Sequence, residues 1–139
     1  MMEAAIEGLT RPDGTRPMLI AVTQLTSTDQ EAMENDLLIK EPIAEVVMHY
    51  AHNAKEAGLD GVVCSPLEAG KVHERCGAGF VTVTPGVRFA DGDIGDQKRV
   101  MTPAAVKEIG SDYIVVGRPI TAAEDPVAAY ERCVAEFCD

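Results

Sequence analysis

Gly117-Arg118, Arg88 and Gln97 are the residues whose types and placement suit a common task, the gripping of a phosphate. An arginine fork matches two phosphate oxygens at once, and a glycine beside it lets the backbone approach the same group. Arg88 ends the run Thr84-Pro85-Gly86-Val87-Arg88, and Gln97 follows in a polar, glycine-rich stretch. From there both side chains could close over an anion held by Gly117 and Arg118. On pattern alone, the same arginines fit solvated surface charges equally well. The histidines offer less. His49 and His52 stand one helical turn apart, a metal-pair spacing, but no third ligand is evident nearby, so no metal is expected. His73, among charged residues of a helical stretch, reads as solvated. No G-x-S-x-G, P-loop or G-x-G-x-x-G pattern occurs, which argues against a nucleophile-elbow hydrolase or a nucleotide-fold enzyme.

Four short apolar, β-branched runs must position these residues: 18–23, 61–64, 80–84 and 113–117. None alternates cleanly, as expected of parallel strands covered on both faces, and each leads through a turn into a helical pattern. The helix starts are marked by capping boxes at Thr28-Asp29-Gln30-Glu31 and Ser65-Pro66-Leu67-Glu68. Thr102-Pro103 and Asp125-Pro126 repeat the order of cap then proline. In a helix expected over about 42–57, Ile43, Val46, Val47, Tyr50 and Ala54 share one face; Gly58 and Gly110 stand where helices should end. Strand alternating with helix predicts an α/β fold with a parallel sheet, whose right-handed crossovers bring all strand carboxyl ends to one side. Function should therefore gather at Leu25-Thr26, Ser65, Pro85-Gly86 and Gly117-Arg118. In barrels of eight βα units, the loops after the last two strands frequently build a phosphate site. The polar stretch 87–100 reads as a lid over such a site, with a plain surface loop as the alternative. No internal repeat or linker is evident.

The bulk numbers are compatible with this picture. A chain of 139 residues with 46% hydrophobic and 25% charged residues has the composition of one ordinary globular domain. The formal net charge of −11 argues against nucleic acid or an anionic membrane as partner, but leaves room for a small phosphorylated ligand met by local arginines. No apolar run is long enough to span a bilayer, and residues 1–8 read as part of an amphipathic helix rather than a signal peptide. Cys64, Cys76, Cys133 and Cys138 form no C-x-x-C pair; reduced thiols, and with them a cytoplasmic location, are expected.

Taken together in order, these segments resemble the bacterial orotidine 5'-phosphate decarboxylases. Leu19-Ile20-Ala21-Val22-Thr23-Gln24-Leu25-Thr26-Ser27 resembles that family's fifth strand, and Gly58-Leu59-Asp60-Gly61-Val62-Val63-Cys64-Ser65 its sixth. Thr82-Val83-Thr84-Pro85-Gly86-Val87-Arg88 is similar to the seventh, and Asp96-Gln97-Lys98-Arg99-Val100 to the far end of its lid. Ile114-Val115-Val116-Gly117-Arg118-Pro119-Ile120-Thr121, with Ala123-Glu124-Asp125-Pro126, resembles the eighth strand and the helix after it. The likeness covers essentially the whole chain.

The resemblance implies an α/β chain forming the second half, strands five to eight, of a TIM (β/α)8 barrel, with residues 1–139 as a single unit. It also implies the activity of the family, conversion of orotidine 5'-phosphate to UMP and carbon dioxide without metal or organic cofactor. Thr26 would hydrogen-bond the pyrimidine, Arg88 and Gln97 would reach the phosphate from the lid, and Gly117 and Arg118 would hold it from the last strand. The family's chemistry uses a D-x-K-x-x-D motif on the third strand, with an Asp and a Lys from the first two. That set is missing here. Asp96-Gln97-Lys98 imitates its opening, but Met101 stands where the second Asp should be, so no catalytic residue is assigned. A whole barrel of this kind takes about 250 residues, and about 200 at least. The expectation is thus a half that binds nucleotide but is inactive alone, completed by a missing N-terminal half or by self-association as a homo-oligomer. Two other readings stand beside it: a stand-alone, self-associating phosphate-binding module, and a sugar-phosphate barrel enzyme related to hexulose-phosphate synthases.

Overall fold

The computed structural model describes residues 1–91 and 101–139. Its elements run α1 (Met2–Leu9), β1 (Ile20–Val22), α2 (Gln30–Asn35), α3 (Ile43–Glu56), β2 (Gly61–Val63), α4 (Pro66–Cys76), β3 (Val81–Thr84), α5 (Pro103–Ile109), β4 (Tyr113–Ile114), α6 (Arg118–Thr121) and α7 (Pro126–Phe137). The four strands lie side by side in chain order, and every neighbouring pair is parallel. Each strand is shorter than its apolar run. The ladder nevertheless extends a residue further in places: the Thr23, Cys64 and Val115 amides donate to the carbonyls of Val63, Val83 and Thr84 at 3.0, 3.2 and 3.0 Å.

The core lies between the sheet and the helices on one of its faces. Val47, Ala51 and Ala54 of α3 and Ala69 and Val72 of α4 pack against Val62 and Cys64. The expected stripe on α3 holds at Val46, Val47 and Ala54; Ala51 joins it, whereas Tyr50 is only half-buried. Cys64 is fully buried, and none of the four cysteines is in a disulfide. Away from the helices the sheet is open: Val22 is 58% and Val115 50% exposed. In the middle of the sheet Gly61 faces Val81, where a Cβ would lie 2.1 Å from the Val81 carbonyl oxygen. Only glycine permits that approach.

The helix starts obey local chemistry. Ser65 caps α4 with a complete capping box, Glu68 accepting the Ser65 amide at 2.8 Å, and Pro66 occupies the first turn. Thr102 and Asp125 cap α5 and α7 as expected. At α2 the expected box is displaced. Asp29, not Thr28, is the cap and accepts the Ala32 amide at 2.9 Å, while the Thr28 amide turns back to the Leu25 carbonyl. A charged carboxylate is a strong acceptor at a helix N-terminus, so it holds the position against the neighbouring hydroxyl.

Two aspartates tie the amino ends of the strands together. Asp60, one residue before β2, accepts the Leu19 amide at 2.7 Å and Arg16 Nη2 at 2.9 Å. Asp112, one residue before β4, accepts the Thr82 amide at 2.7 Å and the Thr82 hydroxyl at 3.0 Å. His73 Nε2 lies 3.0 Å from the same Asp112 oxygen. The expectation of a solvated His73 is therefore corrected: its side chain is only 18% exposed. Its partner sits on another element, where local charge pattern gives no warning of it.

The Arg16 guanidinium, followed by the Leu19 amide, holds the Asp60 carboxyl below the usual carboxylate range. A depressed carboxylate stabilises the fold fully above its unfolded pKa of about 3.9, and that contribution is lost as the pH falls through the lower folded value. Asp60→Asn is expected to lower the urea midpoint at about pH 7 and to flatten the decline of stability between about pH 5 and pH 2. Urea titrations across that range check it; a variant matching the wild type at every pH would refute the assignment.

Candidate functional site

Because the strands are parallel and consecutive, their carboxyl ends form one rim. A cavity of about 370 Å³ opens there. Its walls are Gln24, Leu25, Thr26 and Ser27 after β1, Pro85, Gly86 and Arg88 after β3, and Val115, Gly117 and Arg118 after β4. Val22 and Val63 add apolar surface. Among the described residues two arginines and no carboxylate line it, an environment that favours an anion although the chain is acidic overall. A second cavity of about 390 Å³, between α1, β1 and α3, has no basic side chain and offers no comparable chemistry.

Each wall is fixed by backbone contacts. Thr23 leaves β1 with its hydroxyl donating to the Val63 carbonyl at 2.8 Å, which sets the direction of the segment that carries Thr26, itself buried. Gly86 turns the chain out of β3 in the left-handed region, at φ 80°, a conformation that glycine adopts without Cβ strain. Val87, fully buried, then forms a parallel bridge with Met101, and the Arg88 amide donates to the Met101 carbonyl at 3.0 Å. The Arg88 side chain is buried, with Nη1 donating to the Val87 carbonyl at 2.8 Å. Arg118 is exposed at the first position of α6. A Cβ at Gly117 would meet nothing within 4 Å, so protein packing does not demand glycine there.

The structure thus brings Thr26, Arg88, Gly117 and Arg118 to one cavity. Gln97, with Asp96 and Lys98, lies outside the described residues. Ser65, expected at the same rim, is used instead as the cap of α4. Gln24 and Ser27 line the cavity without having been singled out; their place directly after β1 was the available signal. Among the described residues no cluster of His, Cys, Asp and Glu could hold a metal ion, and no helix is long and apolar enough to cross a membrane. His49 lies beside Asn53 at 3.1 Å.

A family model described as orotidine 5'-phosphate decarboxylase / HUMPS matches residues 1–133. The chain belongs to that family. The orotidine 5'-phosphate decarboxylase of Bacillus caldolyticus is 59% identical over 140 residues, covering 99% of this chain and 57% of its own length. That of Streptococcus thermophilus is 57% identical, covering 100% of this chain and 58% of its own. A crystal structure of orotidine 5'-phosphate decarboxylase from Lactobacillus acidophilus superposes with a TM-score of 0.80 at 45% identity, covering all of this chain and 58% of that one. The chain therefore spans somewhat more than half the length of these relatives. Its four parallel strands with intervening helices are part of the family's α/β architecture.

Proposed function

We propose that residues 1–139 form one unit, the half of an orotidine 5'-phosphate decarboxylase barrel that holds strands five to eight and grips the nucleotide. The observation that carries this reading is the meeting of Thr26, Arg88, Gly117 and Arg118 in one cavity at the strand ends. Arg118 and Arg88 take the phosphate oxygens, Gly117 leaves the backbone open to them, and Thr26 at the far wall bonds the pyrimidine ring. Gln97, outside the described residues, is assigned to the phosphate by the family resemblance alone. The substrate is orotidine 5'-phosphate and the product UMP. Cysteines outside any disulfide suit a cytoplasmic setting.

The decarboxylation itself leaves a carbanion at pyrimidine C6 that needs a proton donor and a charge network around it. Among the described residues lining the cavity, none is a lysine or an aspartate. The grip and the chemistry are therefore carried by different stretches of the barrel, and this chain supplies the grip. Remote phosphate binding of this kind contributes to catalysis by organising the reacting end. A sugar-phosphate reading has less support, since the two curated relatives above carry the decarboxylase name at 57% and 59% identity.

The open sheet face and the free edges of β1 and β4 must be covered in the working assembly. Val22, Tyr113 and Val115 are each at least half exposed, which favours pairing with a second copy or with the remaining part of a barrel.

Three outcomes are expected. The purified chain alone leaves the ultraviolet absorbance of orotidine 5'-phosphate unchanged, and a chain carrying the other four strands restores the loss. Turnover by the chain alone would refute the division between grip and chemistry. Arg118→Ala weakens UMP binding by roughly tenfold or more, the loss of a charge-assisted contact worth about 1.5–3 kcal/mol. Unchanged affinity in a calorimetric titration would remove Arg118 from the site. Light scattering of the chain alone gives a mass above that of the monomer; a stable monomer would contradict the proposed covering of the sheet.

A further inference from the structure

The segment that carries Arg88 has a second anchor outside the cavity. Neighbouring residues of an extended segment point to opposite sides. Arg88 lines the cavity, whereas Phe89 is buried beneath the guanidinium of Arg132 on α7, 4.2 Å from its ring centroid. The same guanidinium meets both carboxylate oxygens of Asp91, at 2.9 and 3.1 Å, and donates through Nε to Glu136 at 2.7 Å. Glu136, one turn along α7, orients the arginine; Phe89 and Asp91 are what it holds. The Arg132–Asp91 contact lies near the surface and would be weak by itself. Stacking on a buried ring adds an attraction that solvent screens less. α7 itself rests on α5 and α6, and α6 begins at Arg118.

We propose that Arg132 is a positioning residue for the anion site, holding the Phe89–Asp91 stretch on α7 so that Arg88 stays turned into the cavity. This rests on the phosphate reading of the cavity. Arg132 does not touch the cavity; it acts through Arg88. One helix thereby supports both arginines, Arg118 through α6 and Arg88 through Arg132.

The test is a double-mutant cycle read by UMP titration of the full chain. Arg132→Ala should weaken UMP binding roughly three- to tenfold, and Arg132→Lys, which keeps a cation over the ring, should recover part of the loss. In an Arg88→Ala background, Arg132→Ala should cause no further loss. Asp91→Ala, which cuts the same tie while leaving the Arg132–Glu136 pair on α7, should reproduce the effect and serves if Arg132→Ala fails to fold. Full affinity in both Arg132→Ala and Asp91→Ala would overturn the inference, as would an equal loss with and without Arg88. Wild-type protein that binds no UMP would instead overturn the phosphate reading and the inference with it. Loss on Arg118→Ala without loss on Arg132→Ala would leave that reading standing and reject the inference alone.

Discussion

At the middle of the sheet, Gly61 meets Val81 so closely that a Cβ on the glycine would lie 2.1 Å from the facing carbonyl oxygen, and the geometry of the rim follows from that contact. A larger residue would force β2 and β3 apart or shift their register. The register fixes Val63 against Val83, and one step further Cys64 donates to the Val83 carbonyl. From there the chain turns at Pro85 and Gly86 to deliver Arg88. On the other side, β2 aligns β1, and the Thr23 bonds to Val63 deliver Thr26. Cavity walls that are distant in sequence are thus set by a single strand pairing that permits no side chain on one partner.

The two ends of the strands do different work. At the amino ends, Asp60 and Asp112 use the same device: each stands one residue before its strand and bonds an amide at the start of the preceding strand. Each also follows a glycine at a helix end with φ near 85°, Gly58 at 85° and Gly110 at 84°. Gly58-Leu59-Asp60 and Gly110-Ser111-Asp112 are therefore one structural unit used twice, helix stop then strand staple. Arg16 completes the first and His73 the second. Both carboxyls are held below their ordinary range. For Asp60 the bond from Arg16 is the leading cause; for Asp112, burial pushes upward and the Thr82 amide, the Thr82 hydroxyl and His73 outweigh it. These carboxylates thus serve the fold at one end, while at the other the described residues lining the cavity include two arginines and no carboxylate. On the proposed reading, a barrel that separates stability from ligand contact in this way can vary one end without unravelling the other.

What was legible in the sequence follows the range of the interactions. Caps act over three residues, so Ser65, Thr102 and Asp125 were readable, and even at α2 the error was a choice between adjacent acceptors. Parallel topology follows from handedness, so the rim residues Thr26, Arg88, Gly117 and Arg118 could be named before any coordinates. His73 could not, because its partner lies across two elements. The repeated Gly-x-Asp unit escaped notice because it is three residues long and has meaning only once both aspartates are seen bonding neighbouring strands. Strand lengths were overestimated because apolar runs report burial, whereas ladder pairing depends on how neighbours curve away. Arg132 carries no sequence signal at all; on α7 it looks like one more surface charge.

On the proposed reading, a grip separated from the chemistry makes a physical demand on the chain that carries it. An arginine that must be ordered by its ligand spends part of the binding energy on its own side-chain entropy, which for arginine is among the largest of any residue. Arg88 is relieved of much of that cost by contacts made without ligand: Val87 bridged to Met101, the Arg88 amide on the Met101 carbonyl, and Nη1 on the Val87 carbonyl. Arg118 is exposed at the start of α6. The two guanidinium groups thus differ in burial, one set into the cavity wall and one at its exposed edge. On the proposed reading that asymmetry matters more than the count of charges. A prearranged group sets where the phosphate sits, and hence where the far end of the nucleotide must lie when the rest of a barrel is present to act on it.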